Sequence, residues 1–410
     1  MFKFNIKNSF HKARTGSFNT PHGKIQTPNL AIVATHGKIK LLNKTDHLRA
    51  NPDLIIANTF HLFVNNKINE IKKSGGLHKW SEFKKPIMTD SGGFQVFSFG
   101  WGKVHKVGKV LTNTDYTQTD TENNQYKSVS SQYRSSSVKI SEKGVVFEYD
   151  GKKFELTPEK SIKIQKDMGA DIIFAFDECT SPLHSHSYTK KSINQTHRWA
   201  VRSLKAKNSR LRRSFGRQAK SKTQQALFGI VQGGIFEDLR KKSSKFIGHL
   251  PFEGFGIGGS FGEKQMEDVL KWSLSGLPEE KPRHLLGIGT VKDIFIAVKQ
   301  GIDLFDCVVP TREARHGVLY TKAGKLAIKK GIFSKDKKLI ERGCKCFICR
   351  SGITRQELRG YFKDPIQRQK GQRLVVIHNI YFYKRLFQEI REAITNGKLS
   401  KLEKEYSVYL

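Results

Sequence analysis

Cys344, Cys346 and Cys349 set three thiols within six residues of one another, and an imidazole, His378, follows downstream. Three soft sulfur donors and one ring nitrogen complete a tetrahedral Cys3His centre, with Zn–S bonds of about 2.3 Å and no coordination position left for a reacting group. The expectation is one structural zinc ion per chain. The chain has five cysteines, the other two being Cys179 and Cys307. An odd number with three crowded together suits reduced thiols and metal ligation better than a disulfide framework.

A second constellation is acidic. Asp90 lies in TDSGGFQ, Asp177 in FDECT and Asp306 in LFDC, each at or near the C-terminal end of an apolar run. Carboxylates gathered at one mouth repel unless a substrate or neighbouring donors neutralise one of them. Such a set can divide into a nucleophile, an acid or base, and a group that reads the donor edge of a ligand. Small residues flank them: Gly92-Gly93 after Asp90, Gly233-Gly234 after Gln232, and Gly258-Gly259-Ser260. Glycine lets a flat ligand approach the backbone, and Phe94 offers a face for stacking. Neither a GxGxxG nor a Walker pattern accompanies them, so a dinucleotide or nucleoside triphosphate is not indicated.

Eight short apolar or β-branched runs could position these groups, at 29–35, 53–59, 86–92, 171–177, 226–232, 254–259, 284–289 and 302–309. Helical stretches separate most of them. One is 158–168, where Thr157 can cap and Pro158 takes the first helical position. Near-continuous apolar strands such as DIIFAFD and GIDLFDCVV require a parallel sheet buried on both faces, and eight such strands close a barrel. The expected fold is therefore α/β, a (β/α)8 barrel over 29–311. Residues 1–28 read as a β-hairpin region turning at His22-Gly23, laid across the barrel floor. A polar stretch at about 103–141 has no apolar period and reads as a flexible insertion, followed by a hairpin, VVFEYDGKKFEL, turning at Asp150-Gly151. Residues 312–410 carry the thiols and then a helix with Tyr383, Leu386, Phe387, Ile390 and Ile394 on one face, with His378 at its start.

Composition narrows the partners. Against 37 acidic residues the chain has 73 Lys and Arg, a net charge of +36. A field of that sign captures polyanions, nucleic acid above all, although a lysine-biased genome would leave the same trace. No apolar run approaches the roughly 20 residues that cross a bilayer, and the N-terminus lacks the apolar core of a signal peptide. The expectation is a cytoplasmic protein without a membrane partner.

In order along the chain, DSGGFQ, FDECTSP, FGIVQGG, GFGIGG, LFDCVVPTR and CxCxxC…HN resemble the motifs of the tRNA-guanine transglycosylases, over nearly the whole length. The resemblance implies a modified TIM barrel with an inserted C-terminal zinc-binding subdomain. It implies that the enzyme replaces guanine at the wobble position of tRNAs with a GUN anticodon by a 7-deazaguanine, preQ1 first and queuine as the alternative, in queuosine modification. By the same resemblance Asp306 would be the nucleophile at ribose C1′, forming a covalent enzyme–RNA intermediate, and Asp90 the general acid/base. Ser91, Asp177, Gln232 and the Gly259 backbone would bind the base with Phe94 stacked on it, Arg312 and Arg315 would hold the anticodon loop, and Cys344, Cys346, Cys349 and His378 would hold zinc.

The resemblance further implies a homodimer, and the lack of an RNA-binding domain after the thiols favours a bacterial-type enzyme. The loop GGSFGEK is one residue shorter than the family's GGLxxGE, so Ser260 and Glu263 have no firm counterparts and the choice of acceptor base is not set. Two rivals remain at this point: a non-catalytic RNA-binding paralogue, against which the intact aspartates argue, and a related base-exchange enzyme acting on DNA.

Overall fold

A computed structural model describes residues 2–104, 138–209, 225–259 and 261–410. Most of the polar insertion lies outside the described residues. The first strands are β1 (Phe4–Phe10), β2 (Ala13–Thr20) and β3 (Gly23–Thr27), an antiparallel sheet in the order β1-β2-β3. The expected hairpin is thus the β2-β3 half of a three-stranded sheet. In FNIKNSF only Phe4 is buried, so β1 carries no alternating apolar signal.

Strands β4 (Asn29–Val33), β5 (Ile55–Ala57) and β6 (Ile87–Thr89) come next, then β7 (Val138–Ile140), β8 (Val145–Tyr149) and β9 (Lys152–Leu156), and then β10 (Ile172–Phe174), β11 (Ala226–Val231), β12 (Gly254–Ile257), β13 (Arg283–Leu285) and β14 (Leu304–Cys307). Among the described residues, β10-β11-β12-β13-β14-β4-β5-β6 close into a barrel. The registers are parallel, with Asp306 opposite Ala31, Ile172 opposite Met88 and Ile230 opposite Gly256. All eight expected runs are strands of this barrel, each shorter at its C-terminal end than its apolar run. The last two strands are β15 (Val318–Thr321) and β16 (Gly324–Ala327), an antiparallel pair.

β7 pairs with the hairpin β8-β9, so the end of the stretch read as flexible insertion is a strand. Asp150 and Gly151, at φ 51° and 70°, make the two-residue turn with both centres left-handed, as a tight hairpin demands.

The chain divides into two compact units. The first is chiefly Asn58–Phe83 and Ile87–Leu286. Its core includes Phe174 and Phe228, edge to face at 5.6 Å, and Trp199, whose indole nitrogen donates to the Glu142 carbonyl at 2.9 Å. Thr157 caps the helix Pro158–Met168 through the Lys160 amide, as its sequence predicts.

The second unit is Lys3–Ala57, Lys84–Pro86 and Gly287–Leu410. Here Arg14 and Asp303 form a buried two-pronged ion pair at 2.9 and 2.5 Å. The helix Arg368–Thr395 buries the stripe Tyr383, Leu386, Phe387, Ile390 and Ile394, and Phe387 packs 5.5 Å from Phe305 of β14. This helix starts ten residues before His378, not at it. The polar run RQKGQR hides that first turn from an apolar-period reading.

Candidate active site and candidate metal centre

In the first unit, Asp90 directly follows β6, and both carboxylate oxygens accept hydrogen bonds. Oδ1 accepts from the Thr59 amide at 2.7 Å and the Gly92 amide at 3.2 Å, and Oδ2 from the Asn58 side chain at 2.7 Å. Asn58 also caps the helix Thr59–Val64, taking the His61 amide on its Oδ1 at 2.9 Å. One amide side chain therefore starts a helix and orients a carboxylate.

Asp177 lies three residues beyond β10 and is 6% exposed. Its Oδ2 accepts from Gln232 Nε2 at 2.7 Å and its Oδ1 from the Ser91 hydroxyl at 3.3 Å. Burial raises its pKa to about 6, against the opposing pull of Gln232 and Ser91. Ser91 is fixed in turn, since its carbonyl accepts from Ser161 at 2.7 Å and its hydroxyl from the Gly93 amide at 3.3 Å. Gln232 spends Nε2 on Asp177, while its Oε1 is buried without a hydrogen-bond partner among the described residues. Ser91, Asp177 and Gln232 are thus brought together as one array. Gly259 abuts it: a Cβ there would sit 3.3 Å from Gln232 Oε1, and its φ of +112° suits glycine. Phe94 opens the helix Gly93–Val104 and is half-buried. The array can present an acceptor at Asp177 beside the Gln232 amide, a pattern suited to a planar heterocycle with adjacent donor and acceptor groups.

In the second unit, Asp306 lies on β14, half-buried, and accepts from the Gly287 amide at 3.1 Å. Arg312 and Arg315 fall on the short helix Val309–Arg315 that follows. Arg315 donates to the Thr311 carbonyl at 3.0 Å, and burial beside Arg312 lowers its pKa.

The same unit holds the thiols. Cys344, Cys346, Cys349 and His378 are buried, with one donor atom from each within 4.8 Å of all the others. His378 Nδ1 lies 3.3 Å from Cys346 Sγ and 3.8 Å from Cys349 Sγ. His378 Nε2 meets the Tyr320 carbonyl at 2.7 Å and must donate to it. That bond puts the proton on Nε2 and leaves the Nδ1 lone pair facing the thiols, the outer tie that metal-binding histidines commonly have. The donor set fits a tetrahedral ion with no open position, and these four residues could hold one.

The family model for queuine tRNA-ribosyltransferase matches residues 9–126 and 103–408. The chain belongs to that family. It is 40% identical to a queuine tRNA-ribosyltransferase of Protochlamydia amoebophila, over 96% of this chain and 95% of the relative. With the enzymes of the same name from Herpetosiphon aurantiacus and Fusobacterium nucleatum it shares 37%, covering 97% and 98% of this chain and 90% and 96% of those relatives. Queuine tRNA-ribosyltransferases are pentosyltransferases.

Three neighbours of the site escape a motif reading of the sequence. Asn58 and Thr59, in ANTFHL, hold Asp90. Their signal is faint: a capping residue directly after an apolar run. Arg240 is wholly buried and donates to the carbonyls of Val231, at the end of β11, of Gly234 in the turn after it, and of Gly258 just beyond β12. Its signal was available, because it falls on the inward face of EDLRKKSSKFIG with Leu239, Ser243 and Ile247. Ser260 lies outside the described residues. Among the described residues, no helix is long and apolar enough to cross a membrane.

Proposed function

We propose that this chain exchanges a guanine in tRNA, at the wobble position of GUN anticodons, for a free 7-deazaguanine base, with preQ1 as acceptor and queuine as the alternative. The observation that carries the reading is the buried Ser91–Asp177–Gln232 array in a chain of this family. An ionised carboxylate and an amide side by side match the donor edge and the keto oxygen of a guanine-type base. Phe94 supplies a stacking face. Both partners of such a base would otherwise be left in a dry pocket, so bases lacking these groups are rejected.

The reaction is a double displacement. An Asp306 oxygen attacks ribose C1′ as the C1′–N9 bond breaks, and guanine leaves with the electron pair and takes up a proton from the Asp90 carboxyl, the general acid of this step. The enzyme is then linked to the RNA through a C1′–O bond. The incoming base gives its N9 proton to Asp90, attacks C1′, and expels the Asp306 carboxylate. Two inversions leave the configuration retained, as in glycosidases with a carboxylate nucleophile. All eight strands run parallel, so Asp90, Asp177 and Asp306, each at or beyond a strand's C-terminal end, belong to the end at which barrel enzymes carry their chemistry. The target nucleotide must be flipped out of its loop to reach it. Arg312 and Arg315 bind the flanking nucleotides.

Cys344, Cys346, Cys349 and His378 hold zinc, which serves as a structural crosslink and takes no part in the exchange. A homodimer in the cytoplasm completes the reading. Its test is incorporation of labelled guanine into GUN-anticodon tRNA, followed by competition with preQ1, preQ0 and queuine. Exchange with preQ1 the strongest competitor supports the proposal, and no exchange into any tRNA overturns it.

A further inference from the structure

Arg240 is a cation with 0% exposure, and among the described side chains no carboxylate pairs with it. Burial lowers its pKa to about 9, yet it stays charged at neutral pH. Burying a charge without a counter-ion is costly, and such a group persists where its hydrogen bonds are needed. Nε donates to the Gly234 carbonyl at 2.8 Å, and Nη1 to the Gly258 carbonyl at 2.8 Å and the Val231 carbonyl at 3.4 Å. The Phe261 ring lies 5.4 Å from the guanidinium carbon. Among the described residues Nη2 has no hydrogen-bond partner.

The bond to Gly258 O has a consequence one peptide further on. A trans peptide is planar, with its C=O and N–H pointing in opposite directions. Holding the Gly258 carbonyl therefore turns the Gly259 N–H away from Arg240, to the side of the Cys179 thiol beside Gln232. A cation on the carbonyl also polarises the peptide and strengthens its N–H as a donor. Side chains are excluded here. A Cβ on Gly258 would lie 2.5 Å from Gln232 Nε2, and one on Gly259 2.6 Å from Arg240 Nη2.

We propose that Arg240 is a positioning residue for base recognition, acting through the Gly258–Gly259 peptide to orient and polarise the N–H that receives the keto oxygen of a purine-type base. The inference rests on the reading of Gly259 as a base contact. Lysine would keep the charge but offer a single ammonium in place of a fork that reaches three carbonyls.

The test compares wild type, Arg240→Lys and Arg240→Gln in guanine exchange into tRNA, with guanine and 2-aminopurine, which lacks the keto oxygen, as competing bases. Wild type should prefer guanine, with the guanine to 2-aminopurine affinity ratio falling about tenfold in Arg240→Gln and less in Arg240→Lys. The KM for tRNA should not change. A purely structural role would weaken both bases alike and leave the ratio intact, which overturns the inference. So would failure of both variants to reach the wild-type circular dichroism spectrum, because Arg240 would then serve the fold and not recognition. Wild type that exchanges no base overturns the functional reading instead.

Discussion

The thiol cluster and the Asp177 array are both buried and both built from polar groups, yet they are finished in different ways. In the thiol cluster His378 is engaged through both ring nitrogens, one facing the sulfurs and one on the Tyr320 carbonyl. Around Asp177 polar capacity is left over, since Gln232 Oε1 and the nearby Arg240 Nη2 are buried without partners among the described residues. A cluster that satisfies itself has no use for a guest beyond the ion that joins it. A cluster with spare donors and acceptors is a mould for something not yet there. Damage to the first should lower stability, and damage to the second should lower turnover while the fold survives.

The largest effect expected is on chemistry. Asp306→Asn should reduce guanine exchange by at least about a thousandfold with an unchanged melting temperature, because an amide is a poor nucleophile at C1′. Exchange at the wild-type rate would remove Asp306 from the mechanism. Cys346→Ser sharpens the other side. Metal content by mass spectrometry should fall and the melting temperature with it, and a strong chelator should do the same to wild type. A variant that loses metal yet melts like wild type would break the contrast.

Asp177→Asn should raise the KM for guanine about a hundredfold, with little change in the KM for tRNA. The pH dependence follows from the same group. Its carboxyl titrates near 6, and the ionised form is the acceptor for a base's N–H groups. The KM for guanine should therefore be flat above that pH and rise as pH falls through it, a dependence that Asp177→Asn abolishes. The smallest and broadest effect is ionic. With a net charge of +36, tRNA affinity should fall with salt, each phosphate contact adding about 0.7 to 0.9 to the slope of log K against log salt. A flat response would mark the charge as compositional.

How much of this could be read beforehand differs between the two regions for a physical reason. The thiol cluster is local in sequence, three of its four donors lying in CKCFIC, and soft ligands at that spacing have few other uses. The barrel was legible because each strand is a run of apolar residues. The runs overshot because apolar character continues past the last ladder bond into the pocket, as in FAFD, where β10 ends at Phe174 but Phe176 is still buried. β1 was missed because its residues face outward, and the start of Arg368–Thr395 because its first turn is polar. Asn58's hold on Asp90 is a contact between distant segments that no local period encodes; the helical period does place Arg240 on the buried face, but not the Gly258 carbonyl it meets.

The tie from His378 to Tyr320 carries one more implication. Tyr320 belongs to β15, whose pairing with β16 places Leu319 opposite Leu326. An ion captured by these four donors would fix the ring, the ring holds the Tyr320 carbonyl, and that carbonyl belongs to the β15–β16 ribbon. Whatever free energy metal uptake lends the ribbon, an intact ribbon must return to metal affinity. Slow amide exchange across Val318–Ala327 would thus serve as a gauge of loading, readable in a cell extract without touching the chemistry at all.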